Sequence, residues 1–269
     1  MADASSLFPS ERRSPDRQRR ANPFRVLLLA GAHEARQIAF SLTRDPRIVP
    51  IASLARSERS PTGLGLPSRI GGWGGRSAFV SYLKAKRIDG IIDATHPFAT
   101  RISHRAAEVA DAERLDYIQF LRPAWRPKAD DRWVFLNREE DAARHVPADA
   151  RVFLATGLKR LDAFEGLAGR DILCRVRDLP DDAFPYSPGR FVVDNGPRSI
   201  DSEMRLFENL DVDWLVVRNS GGLESRTKLD AAREMGIPVA MVRRPPQPDA
   251  SRAETVSEVI AWVRRRLLP

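Results

Sequence analysis

Phe24-Arg25-Val26-Leu27-Leu28-Leu29-Ala30-Gly31-Ala32-His33-Glu34-Ala35 reads as a buried strand passing through one glycine into a helix. The apolar run Phe24 to Ala30 is nearly continuous, the pattern of a strand covered on both faces in a parallel sheet. From His33 to Leu42 the apolar residues Ala35, Ile38, Ala39 and Leu42 fall at helical spacing. Past the Asp45-Pro46 turn, Ile48 to Leu54 is a second strand. Ser57 to Gly75 is rich in Gly and Pro and has no apolar periodicity. Ser77 to Lys86 then reads as a helix, Gly90 to Asp93 as a strand, Ile102 to Ala112 as a helix, and Tyr117 to Leu121 as a strand ending at Arg122-Pro123.

The alternation restarts beyond Pro127. Strands are expected at Trp133 to Leu136, Val152 to Ala155, Ile172 to Val176, Phe191 to Val193, Trp214 to Val217 and Val239 to Val242. Helices are expected at Glu139 to His145, Leu158 to Leu167, Ser202 to Asn209, Thr227 to Met235 and Glu254 to Leu267. Short strands alternating with helices imply parallel sheets joined by right-handed crossovers. Two such series predict an α/β protein of two doubly wound domains, residues 23–124 and 125–269, behind a disordered basic tail, 1–22.

Composition narrows the function classes. The 269 residues are 42% hydrophobic, enough for real cores, and no apolar stretch approaches the roughly 20 residues of a membrane span. Cys174 is the only cysteine, so no intrachain disulfide forms and a reducing compartment, the cytoplasm, is expected. The net charge is +8. Its basic residues are scattered or gathered near the chain ends, Arg12 to Arg20 and Arg264 to Arg266, without the interleaved aromatics that stack bases. Nucleic acid is therefore disfavoured, while an acidic small molecule, an anionic membrane or simply well-solvated charge fits the balance. No metal site is expected: His33, His96, His104 and His145 lack ligand spacing.

In doubly wound sheets, ligands bind beyond the carboxyl ends of the strands. Each polar motif of this chain falls at such an end. The first turn has Gly31 alone of a three-glycine dinucleotide fingerprint, followed by His33 and Glu34. The second strand ends without an acidic residue and is followed by Arg56, a partner for a 2′-phosphate or simply an exposed arginine. Four glycines in five positions, Gly71-Gly72-Trp73-Gly74-Gly75 after Arg69, allow close backbone approach to a ligand or make a flexible connector. Asp93-Ala94-Thr95-His96-Pro97 gathers a carboxylate, a hydroxyl and an imidazole, either a proton source or a helix cap. Thr156-Gly157, Asn195-Gly196 and Arg218-Asn219-Ser220-Gly221-Gly222, with Lys228 beyond, close the second series. The last run reads as a polyanion cradle or as an ordinary loop with a helix cap.

Taken in order, Ile92 to Ala99, Leu121 to Trp125, Asn219 to Gly222 with Lys228, and Arg233 to Val239 with Met241 to Pro245 resemble the precorrin-6A reductase family. The resemblance runs from about Arg25 to Pro245. It implies two Rossmann-like domains with a cleft between them, NADPH as cofactor, and a polycarboxylate tetrapyrrole as substrate on a cobalamin pathway, with transfer of intermediates to neighbouring pathway enzymes. Carried onto this chain, Asp93 and His96 are the catalytic candidates. Gly31, His33, Glu34, Arg56, Arg69, Gly71, Gly72, Gly74 and Thr95 are assigned to the cofactor. Thr156, Gly157, Asn195, Gly196, Arg218, Asn219, Ser220, Gly221, Gly222 and Lys228 are assigned to the substrate. The chain departs from the family at Ala30 and Ala32, where Gly and Thr are usual, and at Arg218, where Lys is common. Arg218 keeps the charge but is too basic to give up a proton, so an anion-binding role is expected of it.

Two other readings share these features. A short-chain-type reductase would carry a Tyr-x-x-x-Lys pair, and Tyr82 and Lys86 match that spacing within an early helix. A non-catalytic protein reading an anionic ligand would bind tetrapyrrole or nucleotide without oxidising NADPH.

Overall fold

The computed structural model describes residues 22–55, 64–158, 160–194, 199–223 and 225–268. Along the chain come β1 (Phe24–Ala30), α1 (Ala35–Thr43), β2 (Ile48–Leu54), β3 (Ser68–Ile70), α2 (Arg76–Ala85), β4 (Gly90–Ala94), α3 (Thr100–Ala112) and β5 (Asp116–Phe120). They are followed by β6 (Trp133–Leu136), β7 (Arg151–Leu154), β8 (Asp171–Val176), β9 (Gly189–Val193), α4 (Ile200–Asn209) and β10 (Trp214–Arg218). The chain ends with α5 (Thr227–Glu234), β11 (Val239–Val242), β12 (Arg252–Ala253) and α6 (Val256–Leu267).

The chain divides into two compact units. The first takes the chain up to Thr95, Arg105–Phe120 and everything from Ala250; the second takes His96–His104 and Leu121–Asp249. In the first, six strands run in the order β3-β2-β1-β4-β5-β12. In the second the order is β9-β8-β7-β10-β11-β6. Every pairing is parallel. Both are the doubly wound Rossmann-like order, reversing direction once: between β1 and β4, and again between β7 and β10. The sixth strand of each sheet breaks chain order. β12 comes from the C-terminus, and β6 precedes all the other strands of its unit.

The cores follow from the apolar runs. Val26, Leu28 and Ile92 of the first sheet bury against Ile38 and Leu42 of α1 and against Val259, Trp262 and Val263 of α6. In the second unit, Val152, Leu154, Ile172 and Val216 pack on Leu161, Phe164 and Leu167. On the other face Phe153, Leu215 and Met241 pack with Phe207 and Leu229.

Three expectations need correction. Residues 250–269, expected in the second domain, belong to the first unit, because Ala253 pairs with Phe120 and α6 buries Trp262 in the first core. The stretch read as aperiodic loop contains β3, three residues too short to display a period. Glu139–Arg144 and Leu161–Leu167, expected as α-helices, are 3-10 helices of six and seven residues. The second is preceded by Arg160 in left-handed conformation, φ 63°, and both runs are long for this tighter helix. By contrast, α6 starts on a capping box: Thr255 Oγ1 accepts from Glu258 N–H, and Glu258 Oε2 accepts from Thr255 N–H. No helix among the described residues is long and apolar enough to cross a membrane.

Candidate functional site

In each unit the loops at the reversal point carry the polar motifs. In the first unit these loops follow β1 and β4. Gly31 and Ala32 both donate their N–H to Ala94 O, at 2.9 and 2.8 Å, so the β1 turn is tied down onto β4. His33 and Glu34 follow, and α1 begins without a side-chain cap at its N-terminus. Asp93 is fully buried at the end of β4. Its Oδ1 accepts from Thr95 N–H at 3.0 Å and its Oδ2 from the Tyr117 hydroxyl at 2.9 Å. Burial, reinforced by the Asp93 carboxylate, holds the Tyr117 phenol protonated far above its ordinary range. Asp93 thus fixes the turn that presents Thr95. In the second unit, His96 Nδ1 accepts from Phe98 N–H at 3.2 Å, which leaves the proton of the neutral ring on Nε2.

The edge of the first sheet adds a cation. Arg69 of β3 donates from Nη1 to Ser53 Oγ (3.1 Å) and Gly71 O (3.0 Å), and from Nη2 to Gly72 O (2.8 Å). Its guanidinium lies 3.7 Å from the centre of the Trp73 ring. Partial burial lowers its pKa, and no carboxylate among the described residues pairs with it. Gly71, Gly74 and Gly75 all adopt positive φ, 109°, 67° and 131°. A Cβ built on Gly71, Gly72 or Gly75 would meet nothing within 4 Å, so the run is open space bounded by backbone, a cradle that any side chain would begin to fill. Tyr82 of α2 packs edge-on against Trp73 with ring centres 5.1 Å apart. Arg56 lies outside the described residues.

In the second unit the reversal point lies between the ends of β7 and β10, where Thr156, Gly157 and Arg218 sit. Arg218 is not an open anion site. Its Nε donates to Glu139 Oε1 at 2.9 Å, both side chains nearly buried, and its Nη1 donates to Thr156 O at 3.3 Å. Its guanidinium lies 5.5 Å from the Phe98 ring. Thr156 Oγ1, by contrast, is buried with no hydrogen-bond partner among the described residues, a polar atom still to be satisfied.

The Asn219-Ser220-Gly221-Gly222 run is knitted to the Leu121–Trp125 strap. Asn219 Oδ1 accepts from Trp125 N–H and its Nδ2 donates to Trp125 O. Arg244 spreads its donors over the carbonyls of Asn219, Arg122, Pro123 and Ser220. A Cβ on Gly221 would overlap Pro123 O and Arg244 Nη2. The glycines expected to cradle a polyanion therefore admit these groups first. Lys228 Nζ donates to Ser225 O at 2.6 Å and lies 5.3 Å from the Trp125 ring centre. Asn195 and Gly196 fall outside the described residues. Just before them, Asp194 pairs at 3.2 Å with Arg175, whose guanidinium also forks onto buried Glu203.

Sequence reasoning missed Glu139, Arg244, Tyr117 and Ser53. Glu139 stood in an acidic run that reads as a solvated helix face. Tyr117 carries no local signal, since only the β4–β5 register, Asp93 opposite Gln119, brings its strand beside Asp93.

The description "Precorrin-6x reductase CbiJ/CobK" belongs to the family model that matches residues 25–264. The precorrin-6A reductase of Rhodococcus erythropolis is 39% identical over 246 residues, 89% of this chain and 97% of that one. That of Rhodobacter capsulatus is 33% identical over 240 residues, 89% of this chain and 95% of the relative. A solved structure, CobK precorrin-6A reductase, superposes with a TM-score of 0.84 at 32% identity, covering 90% of this chain and 97% of that one.

Proposed function

The chain belongs to the precorrin-6x reductase CbiJ/CobK family, and from that premise we propose that it reduces precorrin-6A to precorrin-6B with NADPH. The observation that carries the cofactor half is Arg69, a guanidinium fixed by Ser53 Oγ and two loop carbonyls at the edge of the first sheet, where a nucleotide's ribose is read in this topology. No acidic residue ends β2, and a cation there suits the 2′-phosphate of NADPH.

The residues present fit such a cofactor. The open Gly71–Gly75 run leaves room against its backbone, beside the Arg69 guanidinium. When bound, NADPH supplies a hydride to one carbon of the conjugated macrocycle. The chain's own residues hold and orient. His96, a neutral ring with its hydrogen on Nε2, orients the site by hydrogen bonding, and the proton for the neighbouring carbon comes from solvent. Asp93 acts through the turn, its carboxylate locked by Thr95 N–H and Tyr117, and so is a positioning residue.

On the substrate side, the buried Thr156 Oγ1 is an unsatisfied hydroxyl that can donate to a ring carboxylate. Arg218, paired with Glu139 and donating to Thr156 O, fixes the Thr156 turn and is a positioning residue there. Asn219, Ser220, Gly221, Gly222 and Lys228 hold the Leu121–Trp125 strap and its loop in place, a positioning role. The buried, solitary Cys174 is in keeping with a reducing cytoplasm.

The test is the loss of NADPH absorbance when the protein meets precorrin-6A, with NADH in parallel. The reading expects oxidation, a product heavier by two hydrogens, and strong preference for NADPH. Macrocycle binding without any oxidation would leave a binding protein in its place.

A further inference from the structure

On the solvent side of the first unit's helix layer, α1 and α6 enclose an open groove of ≈ 690 Å³. That volume is within the range of small-molecule sites. It lies toward the amino ends of the strands, since Arg44 and Arg47 lead into β2 and the dinucleotide turn lies at the opposite end of α1. Its lining includes Phe40 and Leu268, 61% and 60% exposed. Four guanidinium groups surround them, Arg44, Arg47, Arg264 and Arg265, and none of the lining residues is acidic.

The local charge is only partly spent. Arg47 pairs with Asp45 at 2.8 Å, and Arg44 lies 5.4 Å from the Phe40 ring centre. Arg264 also acts electrostatically on the Asp45 carboxylate, while Arg265 makes no hydrogen bond or ion pair among the described residues. Arg266, next in sequence, pairs with Asp116 at 3.0 Å and stacks on Trp262. Favourable placement at a helix C-terminus accounts for a basic last turn. It does not account for an exposed phenyl ring and leucine at the centre of four arginines.

We propose that this groove is a peripheral binding site for a polycarboxylate tetrapyrrole, separate from the site at the carboxyl ends of the strands. Such a macrocycle is a flat apolar body with carboxylates round its rim, the complement of an aromatic lining ringed by guanidinium groups. The Arg-rich N-terminal segment, Arg12 to Arg20, has the wrong charge to occupy it. A second copy of a chain with net charge +8 is disfavoured for the same reason. The choice of a macrocycle rests on the proposed reduction, but binding is measurable without turnover.

The probe is uroporphyrin, an octacarboxylate porphyrin, titrated by fluorescence into the full chain. The double variant R264A/R265A is expected to weaken a one-site isotherm roughly 2- to 30-fold, through loss of two exposed carboxylate–guanidinium contacts. F40A should weaken it through loss of the stacking face. Turnover of precorrin-6A at saturation should not change in either. R138A/R144A, which removes two arginines equally exposed in the second unit, should bind as the parent does. Unchanged binding in the groove variants overturns the proposal, as does equal loss in R138A/R144A. So does groove-dependent sedimentation with phosphatidylglycerol vesicles alongside an unmoved uroporphyrin isotherm. If the protein proves inert toward precorrin-6A while uroporphyrin binding still depends on the groove, the site stands and the reduction falls.

Discussion

Replacing Arg69 with alanine should separate NADPH from NADH. A guanidinium has five N–H donors. Three are committed to Ser53 Oγ, Gly71 O and Gly72 O, and the two that are left can fork onto a phosphate. Hydrogen bonds to a charged partner are worth about 1.5–3 kcal/mol. At 1.4 kcal/mol per decade the loss is roughly 10- to 150-fold in the NADPH dissociation constant. The lower half of that range is expected, because Arg69 is partly open to solvent and screened. NADH, lacking the phosphate, should change by less than about threefold, the weight of lost packing on Trp73. Isothermal titration of both nucleotides into parent, Arg69→Ala and Arg69→Lys proteins measures this, with lysine intermediate because it keeps the charge and loses the fork. Equal weakening of NADPH and NADH, or no change in either, would refute the assignment. The first result would reduce Arg69 to a staple of the glycine loop.

Two further perturbations probe the scaffold. Glu203→Ala leaves the Arg175 guanidinium buried beside Phe153 with only Asp194 to answer it. This should cost about 3–5 kcal/mol, seen as a lower urea midpoint, whereas the paired Arg175→Met/Glu203→Leu change should recover most of the loss. A double variant as unstable as the single one contradicts the argument. Burial pushes the Cys174 thiol up to about 11, so alkylation by iodoacetamide at pH 8 should be negligible until the protein unfolds. The sign for stability follows: above pH 9 the unfolded chain releases a proton that the native state keeps, so this group makes stability fall as pH rises toward 11. Rapid labelling of folded protein would show that the site opens.

Much of the architecture was legible because parallel strands buried on both faces leave uninterrupted apolar runs. Trp133–Leu136 and Val239–Val242 have the bounds expected of them. β3 and β12 were invisible, since strands of three and two residues carry no period and are held by neighbours far away in sequence. The same non-locality hid the return of α6 to the first unit: its amphipathic face says that it packs, not on what. Motif positions at strand ends could be read, whereas partners could not. Asn219 reads equally well as a ligand group and as the clasp of Trp125, and only the fold brings the strap from Leu121 beside it. Arg218 reads as a free cation until Glu139, 79 residues earlier, is placed against it.

The central claim is that a hydride passes from NADPH to the macrocycle on this chain. The direct measurement is a single turnover of precorrin-6A with NADPH deuterated at the nicotinamide C4 position, each face in a separate reaction, with the product weighed by mass spectrometry. The account predicts one deuterium in the product from one labelled face only, and an unlabelled second hydrogen drawn from solvent. Product without deuterium from either face, or no product while both ligands bind, would contradict it.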